Sequence, residues 1–342
     1  MRKGHITIKD IAKHFNISAS TVSRALRNNT DISSETRKMV QEYAKIHKYK
    51  PNTLATILRT NHSNIIGVIV PELANHFFSS VLSGIETIAE EHDYHVIICQ
   101  SAEEYHKEIR NVQTLIETRV CGVLISQAKT TTQYDHFQEL LDNGIPVVFF
   151  DRICNGVDTG KVVVDDYTGT FNAVEYMIKT GCKRIAFLGA VPHLEISKNR
   201  KNGYLDALRK YHMPIDQDLI RIADNKELGY MVALELLQEE NKPDAFMSMN
   251  DYTASGVLMA TKKLNIRVPD EVSICGFSNS NISQVTDPML TTVDQYPSKV
   301  GEEAMKLILE KVMDSNNKER KNKIVKTSLV IRQTTKSLLT GN

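Results

Sequence analysis

Between Ile17 and Asn28 the chain reads ISASTVSRALRN, which gathers Ser18, Ser20, Thr21, Ser23 and Arg24 onto one short segment. Short hydroxyl side chains let a helix approach a partner closely and can donate or accept at a polar edge. An arginine one turn beyond Ser20 offers a planar fork that grips guanine through two parallel hydrogen bonds. The same hydroxyls also serve as caps in a plain helical hairpin, but the surrounding charge weighs against that use alone. Through Thr60 there are twelve basic residues and four acidic ones, +8, although the 342-residue chain is only +1, with 42 Lys and Arg against 41 Asp and Glu. The remainder is therefore −7. A basic head on an acidic body is the footprint of a nucleic-acid module joined to something else.

Helices must position these residues. Thr7 can cap IKDIAKHF, with Asp10 in a capping-box position and Ile8, Ile11, Ala12 and Phe15 on one face. Asn16-Ile17 makes a tight connection, and Ser18 caps a second helix whose Val22, Ala25 and Leu26 face inward. Ser33 opens a third, with Val40, Tyr43, Ala44 and His47 at core spacing, and Pro51 stops it. Two short helices joined this tightly form a helix-turn-helix, whose second helix presents its N-terminal residues to base edges in the major groove. Ala19, Ser20 and Arg24 are the expected base readers, while Thr21 and Ser23 suit phosphates or helix packing. With Thr7, Ser18 and Asn28 they make up the expected DNA contacts of the head.

From Ile65 the texture changes. Apolar runs recur (IIGVIV, HVIIC, CGVLIS, IPVVFF, KVVV, RIAFLG, AFMSM, VSICGF), separated by helix-like segments such as Ser79–His92 and Tyr105–Thr118. Buried strands alternating with helices predict parallel sheets covered on both faces, and their number predicts two doubly wound subdomains. NNKERKNK reads as a solvated loop before a last strand, IVKTSLVIR. With 41% hydrophobic and 24% charged residues the composition is globular. No apolar run approaches a membrane span and no signal-peptide pattern opens the chain, so the expected location is cytoplasmic. The five cysteines show no CxxC spacing and read as free thiols. His92 and His95 lack a third ligand. GVDTGK is one residue short of a phosphate loop, and no GxSxG, HExxH or GxGxxG is present. The expectation is no enzyme, no metal and no cofactor.

ITIKDIAKHFNISASTVSRALRN, ISSETRKMV, YKPN and IIGVIVPELANHFF resemble the lac repressor (LacI/GalR) family of bacterial transcription regulators. The likeness continues in order through IPVVFFDR, RKNGYLDAL, MNDYTASGVL, VPDEVSICGF and DPMLTTVDQ. It implies a homodimer on a pseudo-palindromic double-stranded DNA operator, with a small effector in a periplasmic-binding-protein-like core. The implied domains are a helix-turn-helix at 1–50, a hinge helix at 51–62 and a core at 63–342. Within the core, one subdomain comprises 63–162 plus 292–323 and the other 163–291 plus 324–342. In the hinge, the resemblance makes Asn52 a cap and Leu58 the apolar wedge that opens a minor-groove step, while Thr56 replaces a basic residue many relatives carry.

In such a core the effector sits at the carboxyl ends of the strands, in the cleft between subdomains. That selects Asn75, His76, Phe77 and Phe78, then Asp151 and Arg152, then Asn250 and Asp251, then Ser278. Arg200 is added because it matches a family effector position. An aromatic platform at Phe77 or Phe78, with polar groups from Asp151, Arg200, Asn250 and Asp251, would suit a sugar, although Asp251 is also placed to cap a helix. His76 stands where relatives often have proline, and Ser278-Asn279 where they often have acids. A phosphorylated or acidic sugar and a purine therefore remain alternatives. So does a small-molecule-binding protein that does not touch DNA, which the core alone would fit. Either sign of control, release from DNA or recruitment to it, fits this architecture.

Overall fold

The computed structural model describes residues 6–49, 63–314 and 321–338, in two compact units divided at Ser63. The first unit holds α1 (Ile8–Phe15), α2 (Ala19–Leu26) and α3 (Ser34–Ile46). Thr7 and Asp10 form the capping box: Thr7 Oγ1 accepts from the Asp10 amide, and Asp10 Oδ2 accepts from the Thr7 amide at 2.9 Å. Asn16 ends α1 in the left-handed region at φ 52°, a conformation asparagine tolerates, and so turns the chain into α2. Ile11, Ala12, Val22, Ala25, Ile32, Val40 and Ala44 close a small core. His47 does not join it. It follows the last turn of α3, exposed, with its ring against Tyr43 at 4.2 Å between centroids.

In the second unit, β1 (Ile65–Val70), β2 (His95–Gln100), β3 (Gly122–Ile125), β4 (Val147–Phe150) and β5 (Gly160–Val164) join β11 (Asn322–Val325) in an all-parallel sheet. Its order is β11-β5-β4-β3-β1-β2. Side chains alternate along β1: Ile66, Val68 and Val70 face α4 (His76–Glu91) and α12 (Pro297–Met313), whereas Ile69 faces α5 (Tyr105–Glu117) and α6 (Asp135–Asp142). The approach of α4 to α12 depends on glycine. A Cβ on Gly84 would strike the Ser298 carbonyl oxygen, and one on Gly301 the Val81 carbonyl oxygen.

The second sheet comprises β6 (Ile185–Gly189), β7 (Ile220–Ile222), β8 (Ala245–Ser248), β9 (Ser273–Phe277), β10 (Thr291–Asp294) and β12 (Ser328–Val330), in the order β12-β10-β9-β8-β6-β7. Only β12 runs antiparallel within it. α7 (Asp166–Lys179) and α8 (Glu195–Lys210) cover one face; α9 (Lys226–Leu237) and α10 (Asp251–Lys263) cover the other. A short α11 (Ile282–Val285) precedes β10.

Three expectations are corrected. α4 begins at His76, not Ser79, because Asn75 caps it by accepting from the Phe77 amide. IVKTSLVIR is two strands in different sheets, since the chain changes subdomain between Val325 and Ser328. The earlier crossings follow the same logic: Val163 and Val164 belong to the first sheet, and Thr291–Asp294 to the second, where β10 pairs with both β9 and β12. Ile324 and Val325 likewise stay with the first subdomain.

Candidate functional site

On α2 the hydroxyls are spent locally before they meet any partner. Ser18 caps the helix by accepting from the Thr21 amide at 3.0 Å, and its Oγ lies 2.7 Å from Ser20 Oγ and 2.8 Å from Thr21 Oγ1. Thr7 is likewise a cap. Ser20 and Arg24 are exposed, one turn apart, whereas Thr21 and Ser23 are half-buried. Ala19 is half-buried and packs against the edge of the head's core. Arg24 Nη1 donates to Asp31 Oδ2 at 2.7 Å and Nε to the Ser20 carbonyl at 3.4 Å. Asn28 has left-handed φ (60°), and its Oδ1 accepts from Gln41 Nε2 at 2.7 Å, so that oxygen braces α2 against α3. Asn52, Thr56 and Leu58 lie outside the described residues. Arg27, exposed one turn beyond Ser23, escaped the sequence reading although its charge and spacing mark the same surface.

In the core each sheet has one point where strand order reverses, between β1 and β3 and between β6 and β8. Ligands in open α/β sheets bind outside the carboxyl ends at such points. A cleft of about 370 Å³ lies there. Glu72, Ala74 and Asn75, after β1, line it from the first subdomain; Asp224 to Glu227, Asn250 and Tyr252 line it from the second. Asn250 caps α10 by accepting from the Thr253 amide at 2.8 Å, and its Nδ2 donates to the Asp224 carbonyl at 3.0 Å. His76, the first residue of α4, is half-buried, and its Nδ1 is buried without a protein partner.

Several expected ligand groups turn inward instead. Phe77 and Phe78, 6% and 3% exposed, belong to the core beneath α4, with the Arg152 guanidinium 5.8 Å from the centre of the Phe78 ring. Asp251 is fully buried, and Asn250 takes the capping role. Asp251 Oδ2 accepts from the Ser280 amide at 2.6 Å and hydroxyl at 2.8 Å, and Oδ1 from Thr292 at 2.5 Å. Burial pushes this carboxyl up to about 6, against those hydrogen bonds and Arg332. Asp251 thus ties α10 to the loop after β9. Ser278, at φ 112°, donates to Gln295 at 2.7 Å, and Asn279 bonds Asp294 and Arg332.

Neither Arg200 nor Arg152 is among the residues that line this cleft, and both are paired. Arg200, 4% exposed, reaches Asp166 Oδ1 through Nε at 2.8 Å and Nη2 at 2.7 Å, donates to the Met249 carbonyl, and lies 3.7 Å above the Phe277 ring. Arg152 Nη1 contacts both oxygens of Glu103, at 2.7 and 2.8 Å. Glu103 Oε2 also accepts from the Lys129 amide, and Lys129 crosses to the second subdomain: its Nζ lies 3.2 Å from Asp224 and its carbonyl 2.8 Å from His193 Nε2. Asp151 sits between these pairs, 6% exposed and left-handed at φ 56°. Burial pushes its carboxyl up to about 6; Arg152 and Arg200 pull it down, while Asp166 and Glu103 push it up. Burial also raises the Asp166 carboxyl, opposed by Arg200. Asp166 was within reach of the sequence reading, because it lies two residues past the run KVVV, close to a strand end as Asp151 is. Glu103, Lys129 and Asp224 sit in loops with no such marker.

Around these pairs, Ser101, Ser126 and Ser248 stand at or just past strand ends with buried hydroxyls that have no protein partner, as does Gln127 Oε1. Among the described residues no helix is long and apolar enough to cross a membrane.

Comparison with known proteins matches residues 7–52 to the model for bacterial regulatory proteins of the lacI family, and residues 174–335 to that for a periplasmic binding protein-like domain. The chain is 31% identical over 333 residues to the HTH-type transcriptional repressor CytR of Escherichia coli (strain K12), covering 97% of both chains. To the catabolite control protein A of Priestia megaterium it is 30% identical, over 89% of this chain and 92% of that one. The fold matches a lac repressor dimer bound to operator and the anti-inducer ONPF, with TM-score 0.87 at 24% identity over 98% of this chain and 100% of that one. It also matches a LacI family regulator from Enterococcus faecium with bound ribose, with TM-score 0.71 at 26% identity over 79% and 98%.

Proposed function

Because the chain belongs to the lacI family of bacterial regulatory proteins, we propose that it is a DNA-binding transcriptional repressor whose operator affinity is set by a small, uncharged, hydroxyl-rich effector. In this reading Ser20 and Arg24 read bases, and the protein works as a cytoplasmic homodimer on a pseudo-palindromic duplex, by binding rather than catalysis. Dimer symmetry and operator symmetry go together, because each helix-turn-helix reads one half-site. The cleft controls the head through a coupling free energy: a ligand that binds one arrangement of the two subdomains better than another shifts the population between them.

The pairing of Arg200 and Arg152 carries the choice of an uncharged effector. Arg200 is neutralised by Asp166 and Arg152 by Glu103, and the first of these pairs is buried, so a phosphate or carboxylate at Arg200 would have to displace a buried carboxylate from its cation. Such a displacement strands a charge and costs several kcal/mol, roughly 3–5 for a buried pair. Unpartnered hydroxyls at Ser101, Ser126 and Ser248 favour a ligand that both donates and accepts. A free sugar or a nucleoside meets both conditions; a sugar phosphate or uronate does not. A purine base without its sugar is favoured less because it carries fewer hydroxyls.

A thermal-shift screen of the full chain against sugars, nucleosides, purine bases, sugar phosphates and uronates tests this, with each hit repeated in a DNA-binding assay. A ligand at a hundred times its Kd adds about 2.7 kcal/mol of stability, a shift easily read. Neutral sugars or nucleosides should give the largest shifts and alter operator affinity. A screen led by sugar phosphates or uronates would overturn the choice of an uncharged ligand.

A further inference from the structure

Arg24, the base reader proposed above, is not free on the head's surface. Its Nη1 donates to Asp31 Oδ2 at 2.7 Å and its Nε to the Ser20 carbonyl at 3.4 Å, so the guanidinium is held at two points. Asp31 lies in the loop between α2 and α3. Both side chains remain about half exposed, 46% and 49%, and the head carries only four acids among its first sixty residues. One of the others, Asp10, is committed to the α1 capping box.

An acid on a surface that approaches a polyanion opposes binding, so its placement against the reading arginine has two physical consequences. An unheld arginine samples many rotamers and can swing to phosphates, contacts that position a protein without reading sequence. Held by Asp31 and Ser20, Arg24 keeps both Nη2 hydrogens and one Nη1 hydrogen for an acceptor pair such as guanine O6 and N7. The carboxylate also repels phosphate oxygens, which makes the docked state acceptable chiefly where a base edge supplies the acceptors. We propose that Asp31 is a positioning residue for Arg24 that lowers affinity for DNA in general and sharpens discrimination at the base pair Arg24 reads. This rests on the assignment of Arg24 as a base reader.

The test uses the full chain. Selection from a duplex library with a randomised centre yields the preferred site, and affinities are then measured on duplexes carrying each single substitution and on random duplex. Asp31→Asn keeps size and an acceptor but removes charge; Asp31→Glu keeps charge; Arg24→Ala removes the reader. Asp31→Asn should bind random duplex more tightly and lose about two- to fivefold of discrimination, the scale of an exposed pair. That loss should appear only at the symmetric position that Arg24→Ala also flattens. Asp31→Glu should restore the weaker binding to random duplex. If Asp31→Asn strengthens all duplexes by one factor, or changes none, Asp31 acts as bulk charge or not at all and the proposal fails. If Arg24→Ala leaves every base preference intact, the assignment of Arg24 is what has failed, and the role of Asp31 goes with it.

Discussion

The head and the core place polar side chains under opposite conditions. On the head, Ser20 and Arg24 are exposed, and their partners are a neighbouring hydroxyl, a carbonyl of the same helix and a half-exposed aspartate. In the core, Arg200, Asp166 and Asp251 are at most 4% exposed and bond only to other buried groups. Recognition on the head is therefore nearly separate from folding: its small core of Ile11, Val22 and Val40 forms whatever Arg24 touches. In the cleft, the groups able to meet a ligand also hold strand ends together. Any ligand that engages them acts on stability and subdomain arrangement at once, which is how a binding site becomes a control site.

The contrast is broken most directly at Arg200. Arg200→Ala should destabilise the core by about 3–5 kcal/mol, because it leaves the Asp166 carboxylate buried without its cation. Urea unfolding measures this. Arg200→Met combined with Asp166→Leu should recover most of the loss, since an apolar pair of similar volume has no charge to strand. A small loss for Arg200→Ala alone would mean that the cleft is as loosely built as the head's surface.

Acid tests the same contrast through Asp151. Its carboxyl stands near 6 in the folded chain, against 3.8 for the ordinary group. Between those values the folded state binds more protons than the unfolded one, so stability falls as pH rises. The contribution is full below about pH 4 and gone above about pH 6. At about 1.4 kcal/mol per unit it amounts to roughly 2–3 kcal/mol. Asp251 titrates in the same direction, so the informative quantity is the difference between wild type and Asp151→Asn in urea unfolding at several pH values. A difference that does not change between pH 4 and 6.5 would show that Asp151 is solvated in the working protein.

The same division explains what could be read from the residues alone. Caps at Thr7, Ser18 and Ser33 and the strands IIGVIV, HVIIC and IPVVFF were legible because each is set within a few residues by local hydrogen bonds or an apolar run. β7 was missed because three residues make too short a run, and β10 because its Thr291 and Thr292 are buried polar groups. Thr292 is satisfied by Asp251, and Thr291 by Thr334 and Thr335, which lie far along the chain. Strand-end position marked Asp151 and Asn250, which follow β4 and β8. It could not tell which side chains face the cleft and which turn into the scaffold, since the partners of Asp251 and Arg200 lie 29 to 49 residues away.

At Arg24 the expected outcome reverses that at Arg200. Arg24→Ala should leave urea stability within about 0.5 kcal/mol, as for surface positions generally. On DNA it should cost about 1–3 kcal/mol at one symmetric base pair if the grip is bidentate. Competition binding against single-substituted duplexes provides the second number. A stability loss as large as the binding loss would mean that the head's reader is part of its scaffold after all.

The smallest effect is expected where the two regimes meet, at Lys129. Its ammonium lies 3.2 Å from Asp224 across the cleft, with the lysine side chain 37% exposed and the aspartate 18%, so solvent screens the attraction and the pair resembles a surface contact more than Arg200–Asp166. A double-mutant cycle of Lys129→Met and Asp224→Asn in urea unfolding should give a coupling of about 0.2–1 kcal/mol, falling with added salt. The sign matters more than the size. This contact bridges the two subdomains, so losing it should lower the population of the arrangement described here and slightly raise the radius of gyration measured by X-ray scattering. A ligand that prefers this arrangement then binds Lys129→Met more weakly, by the fraction of competent molecules lost. His193 still holds the Lys129 carbonyl at 2.8 Å in that variant, which is why the change should be a few-fold rather than complete. A coupling of zero at low salt, with unchanged scattering, would remove Lys129 from the closure of the cleft and leave the backbone bond at His193 as the contact that spans it.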